Sequence, residues 1–284
     1  MEKTERKIEF DASKILKCIR HIAHVNNTVT KIYHLAKDCS VNTVTPLETD
    51  GLAFVFPDEK GEVKVTSEII SDWIFRKAFE DIIIGLTESL IEIHRLLNIY
   101  SIAKESEVTP FENQEIMEET MRAIAIKPSK LPLPVLMKEI EIIINEPLQY
   151  RGEISSINQV RNCLVHRNSI VSLADINDPN SKLLCLSYID LVIFMQTGGN
   201  IIELTKEVKN HSPYVENLLC QYIQKKISFS LNEKVVINAD IFKGATNTCI
   251  LFIQELIRKL PISDTIKNSI IQPYQMNLCA ENIH

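Results

Sequence analysis

The sequence predicts a mainly α-helical protein carrying small β-hairpin insertions. Apolar residues recur at threes and fours through several long segments, the period of a helix with one buried face. Strict alternation of apolar and polar residues, the period of a strand, is confined to a few short stretches. Glycine occurs only 7 times in 284 residues. Neither GxxxxGK[ST] nor GxGxxG is present, so the glycine-cradled phosphate sites of nucleotide-binding folds are not indicated.

The elements follow in order along the chain. Over residues 10–38, Ile15, Ile19, Ile22, Val25, Val29, Ile32 and Leu35 mark one apolar stripe of a helix. Between residues 12 and 37 that segment holds five Lys or Arg and no acid. The stretch "GLAFVFPDEKGEVKV" alternates around a DEKG turn and reads as a short hairpin. Ser67 can cap a helix running through "EIISDWIFRKAFEDIIIGLTESLIEIHRLLNIYSIA", too apolar for a lone surface helix and suited to the spine of a bundle. Thr109-Pro110 opens a further helix, broken by "KPSKLPLP", and "VLMKEIEIIINE" is a short buried helix ended by Pro147. A motif-bearing helix, "SINQVRNCLVHRNSIV", comes next. The turn Asp178-Pro179-Asn180-Ser181 leads into strand-like "KLLCLSYIDLVIF", a GGN turn and "IIELT", which together form a second hairpin. Ser212-Pro213 opens one helix, "KVVIN" is strand-like, and "ATNTCILFIQELIRKL" is the last strong helix. The organisation expected is an N-terminal helical segment (1–50), a hairpin or linker (51–66), a helical domain (67–262) and a tail (263–284).

Bulk composition narrows the function classes. Apolar residues make up 45% and charged residues 24%, the balance of a globular protein able to bury a core. No apolar run is long and uncharged enough to span a bilayer, and the N-terminus lacks a signal-peptide pattern. The seven cysteines, Cys18, Cys39, Cys163, Cys185, Cys220, Cys249 and Cys279, are odd in number and form no CxxC, which suggests reduced thiols in the cytoplasm. Net charge is −6, so contact with a nucleic acid would need a local basic patch. Lys14, Lys17 and Arg20 on the first helix offer one, although a solvated face, or one turned to the acidic segment 105–119, is the plainer reading of them. His21 and His24 lack a third ligand on their face, and no metal or cofactor is expected.

The chemistry concentrates at residues 156–171. At about 100° per residue, Ile157, Val160 and Leu164 share one stripe, while Asn158, Arg161, Asn162 and His166 spread over roughly 140° of the other side. Val165 falls within that polar arc, which suggests that the face meets a partner. An arginine and a histidine without a carboxylate pair suit phosphodiester cleavage without a metal: Arg161 would neutralise charge on the phosphate and His166 would carry a proton. Asn162 could orient the histidine, and Arg167 follows it directly. Glu80 and Asp81 on the long helix could pair with Arg161. Cys163 faces the apolar stripe as an inert thiol. From these residues alone a catalytic edge and a solvated helix end remain open readings.

The run "RNCLVH" fits the R-x4-6-H motif of the HEPN superfamily, with a polar residue after the arginine, and "INQVRNCLVHRNSIV" resembles a HEPN motif helix. The long upstream helix with its "AFED" opening is similar to HEPN first helices, so that the resemblance covers residues 65–260. It implies a helical bundle that pairs as a homodimer, joining two motif helices into one composite site. It also implies a metal-independent endoribonuclease acting on RNA as a toxin or anti-phage defence effector, with a cognate antitoxin or defence-system partner. Arg161 and His166 would be the catalytic pair and Asn162 their polar helper. A catalytically silent module binding RNA, a nucleotide or a protein is the alternative. HEPN toxins silenced by a nucleotidyltransferase carry Tyr two residues after the His; here that position is Asn168, which argues against that form of control.

Overall fold

The computed structural model describes residues 13–38, 48–49, 52–53, 67–108, 114–197, 200–203 and 217–271. Its helices are α1 (Ser13–Asp38), α2 (Ser67–Val108), α3 (Gln114–Ile126), α4 (Leu133–Ile144), α5 (Arg151–His166), α6 (Ala239–Arg258) and α7 (Asp264–Ile271). Its strands are β1 (Glu48–Thr49), β2 (Leu52–Ala53), β3 (Leu184–Thr197), β4 (Asn200–Glu203) and β5 (Asn217–Phe229). Among the described residues the protein is mainly α, with one antiparallel sheet ordered β4-β3-β5 and a separate two-residue pairing of β1 with β2.

Helix α2 is the spine. Its 42 residues span about 63 Å at 1.5 Å per residue, and it packs against α1, α3, α4, α5 and α6. Ile74, Phe75, Phe79, Ile82, Ile83, Leu86, Leu90 and Ile93 are all buried; each such side chain contributes about 1.5–3 kcal/mol on leaving water. Ile15, Ile19, Ile22, Val25 and Val29 join α1 to the same core. Ile32 and Leu35, expected to extend that stripe, are 42% and 66% exposed. Past Val29 the contact of α1 with the core passes to half-buried Tyr33, whose ring lies 5.2 Å from that of Phe75, and leaves Ile32 and Leu35 outside it. Pro147 follows α4 as expected, with Asn145 closing the helix at φ 54°, a left-handed position that asparagine tolerates.

The sheet differs from expectation in its third strand. Ser212-Pro213 lies outside the described residues, but Asn217–Phe229, which a helix from that start would include, pairs with β3 from Gln196↔Asn217 to Leu184↔Phe229. Ile223, Ile227 and Phe229 turn toward the protein while Gln224, Lys226 and Ser228 are exposed. That period of two, backed by thirteen residues of ladder, outweighs the equally readable helical spacing. The second hairpin forms as β3–β4, with Phe194↔Glu203 through Thr197↔Asn200 in register. The expected strand "KVVIN" makes only one bridge, Lys234 to Ile170, although Val235 and Ile237 are buried and Val236 is exposed. The DEKG turn and Thr109-Pro110 lie outside the described residues. Asp264–Ile271, in the stretch read as a tail, is helical, with Ile270 and Ile271 buried.

Helices α5 and α6 both pack on β3. Two hydroxyls tie these layers by satisfying strand amides. Ser156 Oγ accepts from Ser187 N–H at 2.9 Å, and Thr248 Oγ1 accepts from Ile189 N–H at 2.7 Å. Helix α4 is fixed to α2 by a polar contact: His94, 3% exposed, donates through Nε2 to Glu139 Oε2 at 2.9 Å, and Lys127 Nζ reaches the same oxygen at 3.0 Å. Burial holds the His94 imidazole below its ordinary value of 6.5, against the opposing pull of Glu139. Burial pushes the Glu139 carboxyl up, but Lys127 and His94 together outweigh it and leave the group below its ordinary 4.5. Both folded values lie below the unfolded ones, so the unfolded chain binds more protons as acid is added. The stability these groups supply is complete above pH 6.5 and falls as pH drops below it, His94 first and Glu139 below pH 4.5. Urea titrations across pH 7 to 4 should show that decline, and His94→Gln, which can still donate to Glu139, should flatten its upper part. An unchanged slope would exclude His94 as its source.

Candidate functional site

Helix α5 presents its buried side, Ile154, Ile157, Val160, Cys163 and Leu164, to the core. That packing leaves Asn158, Arg161, Asn162 and Val165 half-buried and His166 exposed at the last helical position. Burial pushes the Cys163 thiol up to about 11, with Asp175 adding to the shift, which suits the inert role expected of it.

Arg161 is held from two sides. Its Nη2 lies 3.7 Å from Glu80 Oε1 on α2, and its Nη1 donates to Asn162 Oδ1 at 3.2 Å. Its Nε is buried without a partner among the described residues. The guanidinium is thus oriented by its ends while its middle donor stays unspent. Glu80 is shared with Lys77 at 3.0 Å, and Lys77 also reaches Asp81 at 3.0 Å. Hydrogen bonds that Lys77 donates to Asp81 and then to Glu80 hold its ammonium above its ordinary value. Of the two acids expected beside Arg161, Glu80 therefore meets it, and Asp81 is engaged by Lys77.

The end of α5 is anchored by a residue that the sequence did not single out. Asp175 is fully buried, and its Oδ2 accepts from Ser172 N at 2.9 Å and Ser172 Oγ at 2.7 Å. Arg167 Nη1 stands 2.9 Å from the other oxygen, Oδ1. That contact lacks hydrogen-bond alignment, so it is an ion pair without a directed bond. The same nitrogen approaches the Asn162 carbonyl at 3.4 Å. Arg167 thus spans from a buried carboxylate to a carbonyl near the C-terminal end of α5, where a cation opposes the helix dipole. Asn168 and Ser169 then take φ of 51° and 65°. Ser169 N donates to Cys163 O at 3.2 Å, and Val235 N donates to Ser169 O at 2.7 Å, fastening the reversal to the 232–235 strap. The pattern Ser172-x-x-Asp175 could have suggested the cap, but nothing in it reveals the burial or the arginine above it.

An open cleft of about 560 Å³ separates α5 from α2, lined by Ile83, Ile84, Thr87 and Glu88 on one side and Asn158, Gln159, Arg161 and Asn162 on the other, with Pro132, Leu133 and Pro134 at one end. His166 does not line it. Five residues on from Arg161, His166 lies about 7.5 Å further along the helix axis. A second depression of about 460 Å³ is lined by Lys14, Lys17 and His21 of α1 together with Glu88, Ile91, Glu92, Arg95 and Ser129. Arg20 is exposed and lies outside that lining. Among the described residues no three His, Cys, Asp or Glu side chains gather as a metal-binding group, and no helix is long and apolar enough to cross a membrane.

The architecture defined by these elements is a mainly α protein whose polar motif helix lies on an antiparallel sheet. Comparison with known protein families, characterised proteins and solved structures finds no match to the chain.

Proposed function

We propose that the chain is a metal-independent endoribonuclease of HEPN type, acting as a toxin or anti-phage defence effector. One observation carries the reading: Arg161 is oriented by Glu80 and Asn162 at the wall of a cleft, with His166 exposed at the end of the same helix. In the proposed reaction a ribose 2′-oxygen attacks the adjacent phosphorus and the bond to the 5′-oxygen breaks, leaving a 2′,3′-cyclic phosphate and a 5′-hydroxyl. Arg161 stabilises the charge that grows on the phosphoryl oxygens, and His166 relays the proton. Because His166 stands outside the Arg161 cleft, two copies placing their motif helices together would complete the site, and half-exposed Val165 would lie at that junction.

A second reading has its own support. Arg161 is already paired in this single chain, and His166 does not line the cleft, as would suit a silent HEPN module that binds RNA, a nucleotide or a protein partner without cutting. Incubation of the full chain with total RNA in excess EDTA separates the two. The enzyme yields fragments ending in cyclic phosphate, and its expression arrests growth in a His166-dependent way. Retention of RNA with no new ends would favour the silent module.

A further inference from the structure

We infer that the cleft beside Arg161 is a base-reading subsite, and that it forms one end of a track for single-stranded RNA running along α2 to Lys14 and Lys17. This inference rests on the ribonuclease reading, because it supplies that site's substrate class.

The subsite is built from amides at defined positions. Asn158 lies one helical turn before Asn162, so both project along the same wall. No hydrogen bond to a described residue engages the Asn158 amide. Gln159 Nε2 is spent on Ala174 O at 2.8 Å, which leaves its carbonyl oxygen, and Asn162 Oδ1 is taken by Arg161, which leaves its amino group. The wall therefore offers a complete donor–acceptor pair at Asn158, a further acceptor and a further donor. A side-chain amide reads a base edge by pairing one donor and one acceptor at once, and unpaired bases of single strands expose such edges. Across the cleft Ile84, 39% exposed, and the Pro132–Pro134 end offer apolar surface for the base plane. A volume of about 560 Å³ falls in the range of small-molecule sites and accommodates one nucleotide. A base seated there places its phosphate toward Arg161.

The track follows from a shared residue. Glu88 lines both the amide cleft and the depression holding Lys14 and Lys17. The two centres are between one and two turns apart on α2, roughly 9 Å at 1.5 Å per residue. Glu88 and Glu92 carry charge that repels phosphate, and Arg95 in the same depression is paired with Glu92, so the backbone attraction at the far end falls to the two lysines of α1, which stand on the opposite side of the groove. Base reading at one end and phosphate neutralisation at the other select an unpaired strand over a duplex, whose base edges are already paired.

Fluorescence anisotropy of the full chain with 2′-fluoro octamers of A, C, G and U tests this, because these cannot be cut by 2′-oxygen attack. The unaltered chain should prefer one base and bind a duplex of the same length more weakly. Asn158→Ala should flatten that preference about tenfold, and Asn158→Asp, equal in size but unable to donate, should redistribute it, with unfolding curves unchanged in both. Lys14→Gln with Lys17→Gln should weaken all four octamers alike and reduce the salt slope by about 1.4. A base preference indifferent to both Asn158 variants, equal binding of the duplex, or no binding at all overturns the proposal. Cleavage whose base preference ignores Asn158 removes the subsite and leaves the ribonuclease reading standing. Base-selective binding without any cleavage does the reverse.

Discussion

Arg161→Ala and His166→Ala should each lower RNA cleavage by about 100-fold or more, the loss expected when a charge-stabilising donor or a proton carrier is removed. The size of the effect matters because neither side chain does much for the fold. Arg161 is 22% exposed, and its contact with Glu80 is a 3.7 Å ion pair near the surface, of a kind that contributes about 0–1 kcal/mol. Glu80 keeps Lys77 as a partner after the substitution, so no buried charge is stranded. His166 is exposed at the helix terminus, where a cation is worth about 0.3–1 kcal/mol when protonated. Lost activity in these variants would therefore belong to the chemistry and not to unfolding, which urea titration of the same preparations checks. Arg161→Lys separates charge from geometry. An ammonium cannot engage Glu80, Asn162 and a phosphate with a planar fork, so its cleavage should stay close to that of the alanine variant. Wild-type rates in either alanine variant would end the assignment of that residue.

The elements readable in the sequence are those whose burial follows their own period. In α6, and along the middle of α2 apart from Ile84, the apolar residues that recur at threes and fours are mostly the ones that the core takes up, so local pattern and tertiary packing agree. Strand β5 shows the opposite case. Its Ile223, Ile227 and Phe229 fit a period of two, while Tyr222, Ile223, Ile227 and Phe229 also fit helical spacing, and only pairing with β3 decides between them. The helical stripe through Ile32 and Leu35 is equally regular, yet neither side chain is buried, because the period fixes a face and not how far along the helix that face is covered. The site divides in the same way. Arg161, Asn162 and His166 are neighbours in the chain, and Glu80 was reachable as an acid on the long helix. Asp175 was not, since an isolated acid in "SLADIND" carries no mark of burial. The opposing wall of the cleft comes from Ile83, Ile84, Thr87 and Glu88 and its end from the Pro132–Pro134 run, outside α5 and brought to it only by the packing of α2 and α4.

Gly244→Ala should destabilise the protein by about 2 kcal/mol or more, although alanine is the better helix former. Gly244 sits inside α6, where intrinsic preference alone would make alanine more stable by about 1 kcal/mol. A Cβ there would fall 2.1 Å from Cδ2 and 2.4 Å from Cε2 of Tyr188. Tyr188 is 5% exposed on β3, and a rigid ring enclosed on that scale cannot swing clear. The helix must instead retreat from the sheet, and the retreat has a second consequence. Thr248 Oγ1 donates to Gly244 O at 2.7 Å while accepting from Ile189 N–H at 2.7 Å, so separating α6 from β3 strains the bond that satisfies a buried strand amide. Overpacking costs about 1–3 kcal/mol, and an unsatisfied buried amide about 1–3 more, together enough to reverse the propensity gain. Gly152, near the start of α5, provides the opposite control: a Cβ there meets nothing within 4 Å. Gly152→Ala should therefore leave stability unchanged or raise it by up to about 1 kcal/mol. Urea midpoints moving in opposite directions for the same chemical change would locate the effect in the Tyr188 contact. Combining Gly244→Ala with Tyr188→Leu, which opens space at the ring edge, should recover part of the loss. A Gly244→Ala chain as stable as its parent would mean that α6 and β3 pack less closely than these distances require.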